Sequence, residues 1–255
     1  MLCLASAGLP APHGRPPALP STERRLAFER VYELGLWLGG EDGAVCKSGW
    51  SSIQHAQGTA AHHGLLRVID RYSIRSVADV PVGDGCFTGA ALAALRNSSV
   101  AHEPQVEWTG VDIVPSLIER NTRRLGSLGA RFEVADVLGA GAPPLPRAEL
   151  VFSRQMTQHL CHEEVHLFLA QVANAPAARY LLATTFRTGD DFVNKDIPCA
   201  SAGYRAQDLT KPPFDLGQPL LWFSERYADH TRVLPIASAA RLSPLTISPR
   251  AQVPA

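Results

Sequence analysis

A doubly wound α/β fold, with a mostly parallel sheet between layers of helices, is predicted by three observations along this 255-residue chain. Short apolar runs alternate with segments whose apolar residues recur at helical spacing, the pattern of strand–helix–strand units. A turn with glycines at alternate positions, Gly83-Asp84-Gly85, separates one such strand from the helix that follows. Acidic residues close three successive strands, Asp79, Asp112 and Asp136, at the sheet edge where ligands sit in folds of this kind.

The elements follow in order. Leu26, Val31, Leu34 and Leu38 give an apolar face to a first helix over Thr22 to Leu38, and Leu65, Leu66 and Ile69 do the same for Ala60 to Tyr72. A strand over Ser76 to Val82 leads through the glycine turn to a helix over Thr88 to Arg96. The strand Val106 to Asp112 precedes the helix Pro115 to Leu125, whose proline suits a first turn. Strands follow at Arg131 to Ala135 and Leu150 to Arg154, then a helix at Glu163 to Ala173 and a continuous apolar strand at Arg179 to Phe186. After Phe223 no two further strands are legible, so the sheet is expected to be incomplete at that edge.

Composition bounds the rest. Hydrophobic residues make up 45% of the chain, enough for a substantial core. Lys plus Arg and Asp plus Glu both number 24, so nothing electrostatic points to nucleic acid or an anionic membrane as the main partner. No apolar run approaches the roughly 18 residues that span a bilayer. The cysteines Cys3, Cys46, Cys86, Cys161 and Cys199 are odd in number, scattered and without a CxxC pair. They read as idle thiols in the cytoplasm or another reducing compartment, with Cys86 a small packing residue. Residues 1–21 are expected to be a disordered or targeting-like tail, without the basic start of a complete signal peptide. Residues 22–236 form the domain, with 22–75 a helical cap and 187–223, rich in Gly, Pro and Asp, a loop over the site. Residues 237–255 read as a second disordered tail.

The glycine turn lets a ligand approach the backbone, and the helix after it offers free N–H groups. Asp79 is placed to accept from an ammonium or N–H, Asp112 from both hydroxyls of a ribose, and Asp136 from an adenine amino group. Taken alone, Gly83-x-Gly85-x-x-x-Gly89 also suits a dinucleotide.

With these residues the chain resembles class I S-adenosylmethionine-dependent methyltransferases, which have a Rossmann-like fold. It is more closely similar to a poorly characterised bacterial and algal branch with a D-x-P-x-G-D turn. The matching pieces are Asp79-Val-Pro-Val-Gly-Asp84, Gly110-Val-Asp-Ile113-Val-Pro-Ser-Leu-Ile-Glu119 and Ser153-Arg154-Gln-Met-Thr-Gln-His159-Leu160. Tyr180 to Thr185, Gly203-Tyr204-Arg205, Pro212-Pro213-Phe214 and the upstream Phe28, Tyr32 and Trp37 extend the match over about residues 25 to 225. The resemblance implies S-adenosyl-L-methionine as cofactor and a small-molecule or sugar-like acceptor, methylated on oxygen or nitrogen. It implies cofactor contacts from Asp79, Gly83, Asp84, Gly85, Asp112, Ile113, Asp136, Val137 and Ser153, with His159, Arg154 and Arg205 on the catalytic side. His159, after the fourth strand, has the pKa range of a general base. Two departures stand out: Gln155 occupies a position where the branch carries Asp, and Lys47 to Gly58 replaces a glycine/serine-rich loop.

Two other functions remain open at this level. His162-Glu163-Glu164-Val165-His166 is a literal HExxH string, the signature of a zinc metallopeptidase. No third ligand follows at the usual spacing, and no metal is assigned. His55, His62 and His63 form a weaker metal candidate, and Trp50 a candidate wall of the acceptor pocket. A non-catalytic S-adenosylmethionine-binding module is the second alternative, raised by Gln155.

Overall fold

The structure, a computed structural model, describes residues 21–38, 46–49, 60–97, 105–139, 141–217, 219–224 and 236–241. The two terminal tails (save 21 and 237–241), Trp50 and His55 lie outside the described residues. Five strands run parallel: β1 (Ser76–Asp79), β2 (Glu107–Asp112), β3 (Ala130–Val134), β4 (Leu150–Ser153) and β5 (Tyr180–Thr185). Two more, β6 (Leu221–Ser224) and β7 (Ile236–Arg241), are antiparallel additions, giving the order β3-β2-β1-β4-β5-β7-β6. The helices are α1 (Ser21–Leu34), α2 (Ala60–Arg71), α3 (Cys86–Asn97), α4 (Pro115–Leu125) and α5 (His162–Ala173).

Alternation along the central strands sorts the core into two layers. Val77, Leu150 and Leu182 face Leu65, Val68 and Ile69 of α2 and Ala91 and Leu92 of α3. Their neighbours Ala78, Val151 and Leu181 face Val165, Phe168 and Val172 of α5. Period-two side chains make each central strand bury both faces, which is why β4 and β5 read as unbroken apolar runs.

Three expectations are corrected. The sheet is complete beyond β5: β7 inserts between β5 and β6, so 237–241 belong to a strand and Leu221–Phe223 leave the loop. Helix α2 packs in the layer beside α3, so the cap over the sheet edge is α1 with the single 3-10 turn Leu36–Leu38, which Gly35 separates from it by a left-handed φ of 61°. Four cysteines are paired, Cys46 with Cys86 and Cys161 with Cys199. Cys86 is thus a crosslink, and the ground for expecting a reducing compartment is gone. The described residues contain no helix long and apolar enough to cross a membrane.

The loop from Arg187 to Gly217 is built rather than loose. Asn194 donates to the carbonyls of Asp208 and Pro212 and accepts from the Asp208 N–H. Asp208 in turn binds the hydroxyls of Thr188 and Thr210, while Leu209 and Phe214 join the core.

Helix α1 is docked by charge. Arg24, 2% exposed, donates through Nη1 to Asp136 at 2.5 Å and through Nε to Glu164 at 2.9 Å. Removing one member of a buried ion network leaves its partners desolvated and unpaired, at a cost of about 3 to 5 kcal/mol. Arg24→Ala should therefore lower the thermal midpoint by several degrees. An unchanged midpoint in calorimetry would show that α1 is held by its apolar contacts instead.

Candidate functional site

β1 lies between β2 and β4, and the chain leaves it toward opposite edges, so a crevice opens at the carboxyl ends of these strands. A cavity of about 560 Å³ fills it. Its floor is the turn Asp79 to Asp84 with Asp112, Ile113 and Asp136 to Leu138. One wall is the exit of β4, with Arg154, Gln155, Met156, His159 and Leu160. Arg24, Phe28, Tyr32, Trp37, Ser48, Gly49 and Tyr204 cover it.

The turn is shaped by what it lacks. Gly83 and Gly85 hold left-handed φ values of 58° and 71°. A Cβ on Gly83 would meet Ser48 Oγ at 2.7 Å, and one on Gly85 would collide with the Asn121 amide. Asn121, fully buried on α4, donates to the Gly83 carbonyl at 2.9 Å. Asp84 spends both oxygens on backbone: Oδ1 accepts from Cys86 N, and Oδ2 from Lys47 N and Ser48 N at 2.5 and 2.6 Å. Its carboxylate therefore organises the turn and the overlying segment.

The strand-end acids are buried beside one another. Asp79 is 2% exposed, with Oδ2 accepting from Thr88 Oγ1 at 2.6 Å and Trp108 Nε1 at 3.3 Å. Burial pushes its carboxyl up to about 7, against those two hydrogen bonds and the pull of Arg154. Asp112 accepts from Gly83 N through Oδ2 and from Val114 N through Oδ1, and burial raises it to about 6. The Ile113 N–H also faces this carboxylate, so three backbone donors share it and part of its accepting capacity remains for a ligand hydroxyl. Asp136 is bound on one oxygen by Arg24 and on the other by Leu138 N.

On the opposite wall the chain leaves β4 through Gln155, which takes a left-handed φ of 55° and donates its N–H to Thr184 Oγ1. Such a conformation in a residue with a side chain costs about 1 to 3 kcal/mol and is retained where surrounding contacts hold it. His159 hydrogen-bonds through Nδ1 to the Gly203 carbonyl at 2.7 Å. A carbonyl only accepts, so Nδ1 carries the proton and Nε2 of the neutral ring carries the lone pair. Burial lowers the His159 pKa, against the carbonyls of Gly203 and Ala202 and with the Arg205 charge adding to the fall. The ring stacks on Trp37 at 4.5 Å and approaches Tyr204 at 5.4 Å. The Arg154 guanidinium lies over Phe87 at 4.5 Å.

The structure brings Asp79, Gly83, Asp84, Asp112, Ile113, Asp136, Val137, Arg154 and His159 to this cavity. Gly85 shapes the turn from behind. Ser153 points away, buried, with its hydroxyl on the Met156 sulfur. Arg205 does not line the cavity: it is 8% exposed, Nη1 donates to the Leu160 carbonyl, and its N–H donates to the Gln158 carbonyl. Tyr204, beside it, is the residue that reaches the site. His162 and His166 pack on the Phe214 ring at 5.2 and 5.3 Å. Among the described residues the one group with metal-ligand spacing is Cys161, Glu164 and Cys199, whose sulfurs are bonded to each other and whose carboxylate pairs with Arg24. The zinc peptidase reading finds no support. His62 is buried against Phe87, as a core residue.

No family model and no curated protein matches the chain. Solved structures do. The chain is similar to magnesium protoporphyrin IX methyltransferase from Synechocystis PCC 6803, crystallised with S-adenosylmethionine, at TM-score 0.55 and 11% identity over 87% of this chain and 97% of that one. TehB from Haemophilus influenzae matches at TM-score 0.50 and 14% identity, over 71% and 62%. Against the methyltransferase domain of a bacterial CtHen1 the TM-score is 0.41 at 14% identity, with 50% of this chain covering 66% of that one. The fold is that of S-adenosylmethionine-dependent methyltransferases.

Asp79 makes the fold pH-sensitive. A carboxyl raised from 3.8 to about 7 contributes stability that is complete below 3.8 and lost as pH rises through about 7. In Asp79→Asn the amide oxygen still accepts from Thr88 and Trp108, and no charge is buried. The variant should gain stability over the parent progressively between pH 3.8 and about 7, by up to a few kcal/mol on the order of one per pH unit, and level off above. Denaturant titrations at several pH values read this directly; a difference independent of pH would show that Asp79 ionises freely.

Proposed function

We propose that the chain binds S-adenosylmethionine in this cavity and transfers its methyl group to an oxygen or nitrogen of a small molecule. The observation that carries the reading is the pair of buried carboxylates, Asp79 and Asp112, converging on a glycine turn at the switch point of the sheet. Asp79 accepts from a hydroxyl and an indole N–H and Asp112 from backbone N–H groups, so a cationic, hydroxyl-bearing ligand suits both. The D-x-P-x-G-D turn, Asp79 to Asp84, supports placing the chain in the bacterial and algal branch it resembles.

Asp79 would face the methionine ammonium, Asp112 the two ribose hydroxyls, and Asp136, steadied by Arg24, the adenine amino group through its remaining lone pair. Gly83 admits the ligand to the backbone, and Ile113 and Val137 supply apolar contact to the adenine. The cofactor supplies a methyl group activated on a sulfonium, so this chain's residues mainly orient the acceptor and exclude water. His159 takes the acceptor proton at Nε2. Gln155 cannot take a proton, and a base one turn further along favours catalysis over a purely binding role. Arg154 offsets the Asp79 charge, and Arg205 positions the His159 segment without touching substrate.

Calorimetry tests the reading: S-adenosylmethionine and S-adenosylhomocysteine should bind and NAD should not. Tight NAD binding with no heat from either sulfur compound would sink it. Because the ligand favours both ionised carboxylates, affinity should rise with pH through about 6 to about 7 and then level, with proton release on binding. Asp112→Ala should cost roughly 2 to 4 kcal/mol of cofactor binding, the scale of lost charged hydrogen bonds. Once an acceptor is in hand, His159→Ala should slow turnover by ~10²-fold or more and leave cofactor affinity within a few-fold. Equal losses of turnover and cofactor affinity would deny His159 the role of base.

A further inference from the structure

Resting on the methyltransferase reading, we propose that the acceptor is a flat, uncharged aromatic molecule bearing a phenolic hydroxyl, held against the rings of Trp37, His159 and Tyr204. These rings form a continuous wall of the cavity, joined to the glycine turn through Tyr32, which meets Trp37 at 5.5 Å. Phe28 meets Trp37 at 6.3 Å, Trp37 stacks on His159 at 4.5 Å with 32° between planes, and His159 meets Tyr204 at 5.4 Å. Met156 and Leu160 continue the surface in carbon and sulfur. Offset and edge-to-face ring contacts are what such a wall offers a planar guest.

Charge narrows the class. The cations lining the cavity, among the described residues, are Arg24 and Arg154. Arg24 is bound by Asp136 and Glu164, and Arg154 lies over Phe87 within the field of Asp79. A phosphate or carboxylate on the acceptor would find both already engaged. The lining acids are Asp79, Asp84, Asp112 and Asp136, all on the turn side. Ring faces attract a cationic amine, but here it would lie beside a sulfonium and Arg154 with the lining acids already facing the cofactor. Sugars need hydrogen-bond partners on all sides, and the wall of Trp37, Met156, Leu160 and Phe28 presents carbon and sulfur to a guest.

The base agrees with the wall. A histidine whose pKa is lowered by burial is a weak base, matched to a phenol of pKa about 10 and poorly matched to an aliphatic alcohol. In the step, a lone pair of the acceptor oxygen forms the new O–C bond as the methyl–sulfur bond breaks and its electron pair stays on sulfur. The phenolic proton passes to His159 Nε2 and then to solvent.

Calorimetry with S-adenosylhomocysteine comes first; no binding there overturns the methyltransferase reading itself and this proposal with it. To the saturated protein, β-naphthol, methyl glucoside and benzylamine are then titrated separately. The proposal expects β-naphthol to bind most tightly and to accept labelled methyl from S-adenosylmethionine. It expects Trp37→Ala and Tyr204→Leu each to weaken β-naphthol by about tenfold, the scale of a lost ring contact, with S-adenosylhomocysteine affinity within a few-fold. Trp37→Phe should restore most of the loss. Tyr204 is 57% exposed, so its replacement leaves the core intact. Preference for the glucoside or the amine, or intact S-adenosylhomocysteine binding with none of β-naphthol, overturns the acceptor class alone.

Discussion

Asp112 is the joint on which the site depends. One carboxylate at the end of β2 takes the N–H of Gly83 on one oxygen and the N–H of Val114 on the other. It thereby fixes the turn leaving β1 against the segment that opens α4. Asn121 closes the same joint from the far side by donating to the Gly83 carbonyl. Backbone groups that would otherwise be buried and unpaired are satisfied, and the turn keeps the open shape that its glycines allow. The arrangement requires an acid in a nearly water-free place, which is why burial raises its pKa. The stability of the floor thus draws on the same carboxylate to which the ribose contact is assigned in the proposed function.

The covering segments are fastened separately. Cys46–Cys86 and the Asp84 carboxylate tie residues 46–49 to the glycine turn. Cys161–Cys199, together with Asp196 Oδ1 accepting from His162 N, ties the late loop to the start of α5. Arg24 ties α1 to both β3's exit and α5. The last two fastenings meet at the start of α5, where Glu164 accepts from the Cys161 N–H; a rim so held keeps the cavity's geometry largely set before a ligand arrives, and pre-set geometry reduces the ordering cost of binding.

What the sequence showed and what it hid follow from the range of the interactions. The five parallel strands and the helices between them were legible because periodicity is local, and Asp79, Asp112 and Asp136 because a strand end is a local landmark. β6 and β7 were not: Leu-Trp-Phe-Ser and Ile-Ala-Ser-Ala-Ala-Arg are short, and antiparallel pairing, of β7 with β5 and of β6 with β7, defines them. The disulfides join positions 40 and 38 residues apart, and spacing alone does not choose partners among five cysteines. Thr88, Trp108 and Asn121 act through contacts between distant elements and left no motif. Ser153 is different, since strand parity already carried the answer: Phe152 and Arg154 line the cavity, so the residue between them faces the other way.

Tyr204 and Arg205, neighbours in the late loop, turn opposite ways, and the division sets the state of the His159 ring. Tyr204 turns its ring to His159, while Arg205 turns inward and donates to the Leu160 carbonyl. From there its charge still reaches the imidazole and, with burial, keeps it neutral. A neutral ring that donates through Nδ1 to Gly203 retains its Nε2 lone pair at physiological pH. The loop therefore does more than cover the cavity: it selects the tautomer of His159, fixes the ring between Trp37 and Tyr204, and weakens its basicity. In the role of base proposed for it, a ring so weakened is matched to an acceptor that is itself acidic, so the loop that shapes the pocket would also limit the chemistry done in it.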